Sequence, residues 1–282
     1  MQIRLALQQA TQNLATSSDT AGLDAQLLLC KVLAKNRSYL FTWPERELSS
    51  EQYAEFRNLV NQRLQGTPVA YLLGYREFWG MKIEVSAATL IPRPDTELIV
   101  QLALEHLESY SAPKLLDLGT GSGAIALALA KERPDAQITA VDKSPEAIVM
   151  AQRNQQNLQL DNIRLLVSDW FSALDQTEHF DLIVSNPPYI AESDPHLEQG
   201  DLRFEPHSAL SSGLDGLRDL TYLLQTAPRY LHKQGWLLLE HGYDQGRAVT
   251  ALLKQTGYTE VACYQDLGGH DRVSLGRSPQ AA

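Results

Sequence analysis

Two short runs in this 282-residue chain carry residues whose types and spacing could do chemistry. One is Ser185-Asn186-Pro187-Pro188-Tyr189, directly after the apolar stretch Phe180-Asp-Leu-Ile-Val184. Two consecutive prolines cannot continue a central strand, since each lacks an N–H and holds φ near −65°. The chain is therefore stiffened where it leaves the sheet. Asn186 offers an amide oxygen, the carbonyl of Pro187 a second acceptor, and Tyr189 a flat aromatic face. That set answers one chemical problem. A planar NH₂ conjugated to a carbonyl or a ring is a poor nucleophile because its lone pair is delocalised. Two acceptors, one per hydrogen, orient the nitrogen and favour pyramidal character as it attacks, while stacking on Tyr189 holds the plane of the target. Catalysis of this kind rests on positioning and electrostatic stabilisation and needs no strong base. Asn186, Pro187 and Tyr189 are the candidate catalytic residues, and Pro188 completes the run that would bind substrate. In an arbitrary loop the same residues would only cap and terminate a turn.

The other run is Asp117-Leu-Gly119-Thr120-Gly121-Ser122-Gly123, between an apolar stretch at Lys114–Leu118 and a helical one at Ala124–Ala130. Three glycines allow a sharp turn and a close approach of backbone to ligand. A further acid, Asp142, ends the next strand nineteen residues after Gly123, the place where a carboxylate can accept both ribose hydroxyls. A dinucleotide fingerprint is G-x-G-x-x-G and offers a helix N-terminus to pyrophosphate. Here the pattern is G-x-G-x-G with Asp117 two residues ahead. A carboxylate there repels pyrophosphate and suits the ammonium and sulfonium of S-adenosylmethionine. Asp117, Gly119, Thr120, Gly121, Ser122, Gly123 and Asp142 are therefore candidate contacts to S-adenosylmethionine; a purely structural turn is the competing reading. Asp169 and Trp170 follow the third strand, where the acid could accept from an adenine amino group and the ring stack on the base. A solvated acid beside a half-buried ring is the bland reading.

These runs need a scaffold. Strand and helix patterns alternate from Lys114 onward, with strands at Lys114–Leu118, Gln137–Val141, Ile163–Val167, Phe180–Val184 and Trp236–Leu239, helices at Ala124–Ala130, Leu217–Leu231 and Gln245–Lys254, and a further helix capped by Ser144 with Pro145 at its first position. Such alternation predicts an α/β fold with a mostly parallel sheet covered on both faces. A closing pair at Glu260–Tyr264 and Arg272–Leu275 has too short a connection for a crossover and must be antiparallel. Residues 1–75 read as a small helical domain. There Ser49 and Gln52 form a capping box and Gly66 closes a helix. Residues 76–92 read as a hairpin linker and 93–282 as the α/β domain. Arg93, stiffened between two prolines, is a candidate substrate contact or a structural ion pair. His241 reads as a satisfied core histidine.

Composition narrows the class. Lys plus Arg is 24 and Asp plus Glu is 34, a formal charge of −10, which argues against wrapping a nucleic-acid backbone. Two cysteines far apart fit reduced core thiols. No i, i+4 histidine pair suggests a metal, and none is expected. No apolar run nears the roughly 18 residues of a membrane span. A cytoplasmic monomer without membrane or nucleic-acid partners is expected.

Asn186-Pro-Pro-Tyr189 together with Asp117–Gly123 resembles the amino-group methyltransferases that modify adenine, cytosine or glutamine amides. Arg76-Glu-Phe-Trp79, Ile91-Pro-Arg-Pro-Asp-Thr-Glu97, Val184–Ile190, Arg203-Phe-Glu-Pro206 and Leu238-Leu-Glu-His-Gly242 extend this, over essentially the whole chain, to a resemblance to the bacterial release factor glutamine methyltransferase family. The resemblance implies a seven-stranded Rossmann-like methyltransferase sheet, mostly parallel with one antiparallel strand, and a small N-terminal helical domain for substrate recognition. It also implies S-adenosylmethionine as donor, S-adenosylhomocysteine as product, and the glutamine of the Gly-Gly-Gln motif of class-1 peptide chain release factors as target. Gly119–Gly123, Asp142, Trp170 and Asn186 would contact the donor, and Asn186–Tyr189 would grip the glutamine. Two other readings stand beside it: an N6-adenine DNA or RNA methyltransferase, which would call for base-flipping machinery and a basic groove, and a cofactor-sensing binding protein without catalysis.

Overall fold

The structure, a computed structural model, describes residues 1–279. Its backbone divides into two compact units, Met1–Tyr75 with Gln199–Phe204, and Arg76–Glu198 with Glu205 onward.

The first unit is built from helices α1 (Ile3–Leu14), α2 (Ala21–Leu33), α3 (Arg37–Thr42), α4 (Ser50–Leu64) and α5 (Val69–Leu73). Ile3, Leu14, Leu28, Leu29, Leu40, Phe56 and Val60 fill its core. The capping box forms as the sequence predicts: Ser49 Oγ accepts from the Gln52 N–H and Gln52 Oε1 from the Ser49 N–H. Gly66 has φ +98°, and a Cβ there would collide with the guanidinium of Arg203. Arg63 bridges Asp24 and Asp201, each at 2.9 Å.

The second unit opens, from Arg76, within β1 (Tyr75–Phe78), which with β2 (Met81–Glu84) makes a two-stranded hairpin. Trp79 and Gly80, both at positive φ, make the two-residue turn; that backbone twist matches the twist of the flanking strands. Helix α6 (Glu97–His106) follows, then β3 (Lys114–Leu118), α7 (Ala124–Glu132), β4 (Gln137–Asp142), α8 (Pro145–Leu158), β5 (Ile163–Val167) and β6 (Phe180–Ser185). Next come α9 (Arg218–Thr226), β7 (Leu231–Glu240), α10 (Gly246–Gln255), β8 (Thr259–Gln265) and β9 (Asp271–Arg277). The seven-stranded sheet has the order β5-β4-β3-β6-β7-β9-β8. Only β9 runs against its neighbours. Helices α6 and α7 bury their apolar faces with Leu115, Leu182 and Leu238 on one side of the sheet. Helices α9 and α10 pack with Leu116, Ile183 and Leu237 on the other.

Three expectations change. The helix expected over Leu217–Leu231 stops at Thr226, because Pro228 cannot supply a helical N–H and Ala227–Arg229 becomes a 3-10 turn. Leu231 already belongs to a strand, so β7 is ten residues long, more than twice the expected length. Its polar start, His232-Lys-Gln, hides it from a pattern search. Helix α6 was not expected at all. Its first turn follows Pro94–Thr96, whose prolines mark a boundary more loudly than the apolar residues behind them mark a helix.

The chain winds outward from β3 to β5, then crosses back to β6. The reversal puts a switch point between the carboxyl ends of β3 and β6, where open α/β sheets hold their ligands. Both chemically suggestive runs leave the sheet there, Asp117–Gly123 from β3 and Ser185–Tyr189 from β6.

Candidate active site

After β3 the chain makes a cradle almost entirely of backbone. Gly119, Gly121 and Gly123 have φ of +74°, +57° and +88°. The N–H groups of Gly119 and Thr120 both donate to the Val141 carbonyl at 2.9 Å. Asp142 ends β4 and holds the loop from the other side. Its Oδ2 accepts from the Gly121 N–H at 2.8 Å and its Oδ1 from the Ser144 N–H at 2.9 Å. Asn154 of α8 donates to the Ser122 carbonyl. A Cβ on Gly121 would meet nothing within 4 Å, so this turn faces open space. Ser144 and Pro145 start α8 as their types predict, with Ser144 Oγ accepting from the Ala147 N–H.

Asp117 is buried in the floor of this cradle. Thr120 Oγ1 donates to its Oδ2 at 2.6 Å, whereas its Oδ1 is buried with no partner. Desolvation pushes its carboxyl up to about 7, and the neighbouring charge of Asp142 adds to the rise; the Thr120 hydroxyl and the Ala126 N–H pull the other way. Trp170, at φ +51°, lays its ring edge 3.3 Å from where a Gly119 Cβ would be. Asp169 is exposed and its Oδ2 takes an ion pair from Lys143 at 2.8 Å. Its neighbour, Trp170, is thus the member of the pair packed on the loop.

The run after β6 is held by side chains from several segments. Ser185 Oγ donates to the Leu118 carbonyl at 2.6 Å and locks β6 to β3. Asn186 Nδ2 donates to Thr96 Oγ1 at 3.2 Å, so its Oδ1 is the atom left to accept from an incoming N–H. The main chain of Tyr189 is fixed on both sides. Its N–H donates to Leu210 at 3.2 Å and its carbonyl accepts from Gln245 Nε2 at 2.9 Å. Its hydroxyl donates to Glu240 Oε1 at 3.4 Å. Burial pushes the phenol above its ordinary range, and the Glu240 charge pushes the same way.

Arg93 meets Glu205 in an ion pair, and Glu205 Oε2 also accepts from the Ile91 N–H at 3.1 Å. The arginine charge reaches Tyr189 and eases its ionisation. His241 is fully buried, with Nε2 at 2.8 Å from Ser274 Oγ and Nδ1 at 2.9 Å from the Gly242 carbonyl. It is a satisfied core histidine. Thr96 and Glu240 are the residues that sequence reasoning passed over. Glu240 had a signal: a carboxylate ending an unbroken apolar strand, Trp236-Leu-Leu-Leu-Glu240, is buried at one end of it. Among the described residues, no helix is long and apolar enough to cross a membrane, and no cluster of three or more His, Cys, Asp or Glu could hold a metal ion.

Comparison with known proteins bears on the family and the fold. Residues 6–74 match the PrmC N-terminal domain family, and residues 97–201 match the methyltransferase small domain family. The chain is 54% identical to the release factor glutamine methyltransferase of Shewanella oneidensis, over 96% of this chain and 94% of that one. It is 48% identical to the one of Escherichia coli, over 93% and 94%. Among solved structures, a methyltransferase from Pyrococcus furiosus superposes with a TM-score of 0.52 over 71% of this chain and 90% of that one, at 19% identity. That last likeness speaks for the fold alone, a Rossmann-like methyltransferase sheet. The near full-length identities speak for more, and by them the chain belongs to the release factor glutamine methyltransferase family.

Proposed function

We propose that the chain transfers a methyl group from S-adenosylmethionine to the side-chain amide nitrogen of the glutamine in the Gly-Gly-Gln motif of class-1 peptide chain release factors. It would do so in the cytoplasm, as a monomer, on a protein and not on nucleic acid. The observation that carries the reading is the side-by-side exit, from β6 and β3, of an acceptor-bearing clamp and a glycine cradle with a buried, unpartnered carboxylate oxygen.

The residues of the cradle suit this donor. An orphaned carboxylate oxygen on Asp117 costs free energy until a cation reaches it, and the donor's ammonium is such a cation. Each oxygen of Asp142 has one backbone bond and a lone pair left for a ribose hydroxyl. Gly119, Thr120, Gly121, Ser122 and Gly123 would line the backbone side, with Trp170 and Asp169 toward the adenine. When bound, S-adenosylmethionine supplies an electrophilic methyl on sulfur.

The chain's own residues do the rest. Asn186 Oδ1 and the Pro187 carbonyl take one hydrogen each of the substrate amide and turn its nitrogen toward the donor. Tyr189 and Pro188 hold the carboxamide plane, and Arg93 edges the same pocket. As the nitrogen gains carbon it must shed a proton, and the two acceptor oxygens are where that hydrogen is already held. Positioning of this kind removes orientational entropy before the reaction begins.

Incubating the protein with donor and a purified release factor, then mapping modified peptides by mass spectrometry, tests the reading. A gain of one CH₂ on a single glutamine within Gly-Gly-Gln is expected. Modification of nucleic acid instead, or of no glutamine, would overturn it.

A further inference from the structure

The Asn186 amide can face substrate in either of two ways, and only one is useful: Oδ1 outward accepts from an N–H, whereas Nδ2 outward opposes the substrate's own NH₂. Something must choose, and the choice traces back to Glu240. In the register of β6 and β7, Ser185 pairs with Leu239, so Asn186 and Glu240 leave the sheet side by side. Thr96, buried just ahead of α6, lies between them. Its Oγ1 accepts from Asn186 Nδ2, which leaves its one hydrogen to donate. Burial pushes the neighbouring Glu240 carboxyl up to about 7, and the Thr96 hydroxyl pulls it back toward the ionised form. An ionised carboxylate has lone pairs and no hydrogen, so every bond it makes is accepted. With Glu240 ionised, hydrogen donation therefore runs one way, from Asn186 to Thr96 and from the Thr96 hydroxyl toward Glu240. From the other side, the Tyr189 hydroxyl donates to the same carboxylate.

Burial of Glu240 is costly. The residue is 1% exposed, its Oε2 has no partner, and Arg272, whose charge reaches it, spends its guanidinium on Asp266 and Asp95. A carboxylate kept there at such cost is not explained by stability, since an apolar side chain of equal volume would serve the fold as well or better.

Building on the function proposed above, we propose that Glu240 is a positioning residue for methyl transfer: as a terminal acceptor behind the clamp it fixes, through Thr96, which face of the Asn186 amide meets the substrate, and through the phenol it fixes the Tyr189 ring. Without that acceptor the Thr96 hydroxyl turns to donate to Asn186 Oδ1, and the amide flips.

The test uses the full chain with intact release factor. Glu240→Met keeps the volume and removes the acceptor; Glu240→Gln keeps one acceptor oxygen. Thr96→Val breaks the middle link and Thr96→Ser restores it. Glu240→Met is expected to lower kcat about tenfold to a hundredfold, with the melting temperature equal or higher and cofactor affinity little changed. Glu240→Gln and Thr96→Ser should recover most of the rate that Glu240→Met and Thr96→Val lose. Glu240→Met combined with Thr96→Val should be no worse than the poorer single variant, because both break one chain. An unchanged kcat in Glu240→Met, losses that multiply in the double variant, or a kcat loss matched by collapse of cofactor binding and folding would each overturn the proposal.

A second readout needs no substrate. The side-chain NH₂ of Asn186, assigned by its loss in Asn186→Asp, should exchange slowly in the wild type and at least several-fold faster in Thr96→Val or Glu240→Met. Equal exchange in all three would also overturn the proposal. If the wild type left release factors unmodified, the function proposed above would fall, while this resonance would still decide the role of Glu240.

Discussion

The cradle after β3 and the clamp after β6 are neighbours in the sheet but are made of different material. The cradle is main chain. Its shape comes from three glycines at positive φ, paired N–H groups on Val141, and carboxylate and amide braces from Asp142 and Asn154. The clamp is side chain. Its proposed working atom, Asn186 Oδ1, is the one left over when Nδ2 bonds Thr96, and the inferred support for that orientation comes from Thr96, Glu240 and Tyr189, on separate stretches of sequence. Shape and binding should therefore rise and fall together in the cradle. In the clamp, chemistry should come apart from stability.

The sharpest challenge to that division is Asn186→Ala. Turnover should fall about a hundredfold to a thousandfold, as for the loss of one aimed polar group in other active sites. Melting temperature and donor affinity should move little. A parallel collapse of folding, read by calorimetry, would make the clamp as structural as the cradle. In Asp142→Ala, two backbone N–H groups lose a charged acceptor, and so do the two proposed ribose contacts. Donor affinity by titration calorimetry should drop roughly tenfold to a hundredfold; unchanged affinity would remove Asp142 from the ribose role. Gly123→Ala must adopt φ +88° and push a Cβ to 3.0 Å from Leu127 Cδ1 and 3.2 Å from the Ala151 Cβ. It should cost about 1–3 kcal/mol of stability and weaken donor binding along with it. A stable variant that merely turned over slowly would contradict the division.

Asp117 gives a smaller, pH-dependent effect. Its folded carboxyl titrates near 7, against 3.8 ordinarily. Only the ionised form attracts a cation, so donor affinity should fall by up to about tenfold per unit as pH drops below 7. Stability without donor should respond in the opposite sense. The unfolded chain gives up this proton first, so the group's contribution is full below about 4 and is lost as pH rises through about 7. Asp117→Asn should flatten both trends; a pH profile of binding that survives in that variant would assign the effect elsewhere. The smallest change expected is in Tyr189→Phe, which keeps the ring and loses one long hydrogen bond to Glu240. A few-fold loss in kcat is expected, whereas Tyr189→Ala should lose far more because the ring itself goes.

The cradle was readable from sequence because its information is local. Gly119 to Gly123, the acid at the end of the next strand and the helix starting at Ser144-Pro145 follow one another in order, and each has a backbone reason to be there. Half of the clamp was readable for the same reason: two prolines after an apolar strand announce a rigid exit. The other half is non-local. Thr96 and Glu240 sit 90 and 54 positions from Asn186, and only the pairing of β6 with β7 and the entry into α6 bring them together. Arg93 shows the intermediate case. Its stiff setting was visible, but its partner Glu205, 112 residues on, was not.

Strand β9 adds a constraint of timing. It is the last strand among the described residues, yet it occupies an interior slot between β7 and β8. Because it runs backward, its first residues reach the rim of the site, with Val273 beside Glu240 and Arg272 within range of its charge. A growing chain that has emerged only through β8 must hold that slot open, with an unpaired apolar edge on β7 and the clamp's carboxylate uncovered. The sheet and the site wall thus close only once the segment after β8 has been made. Trimming the seven residues Asp271–Arg277 would cost both the sheet's interior pairing and the wall behind the substrate amide.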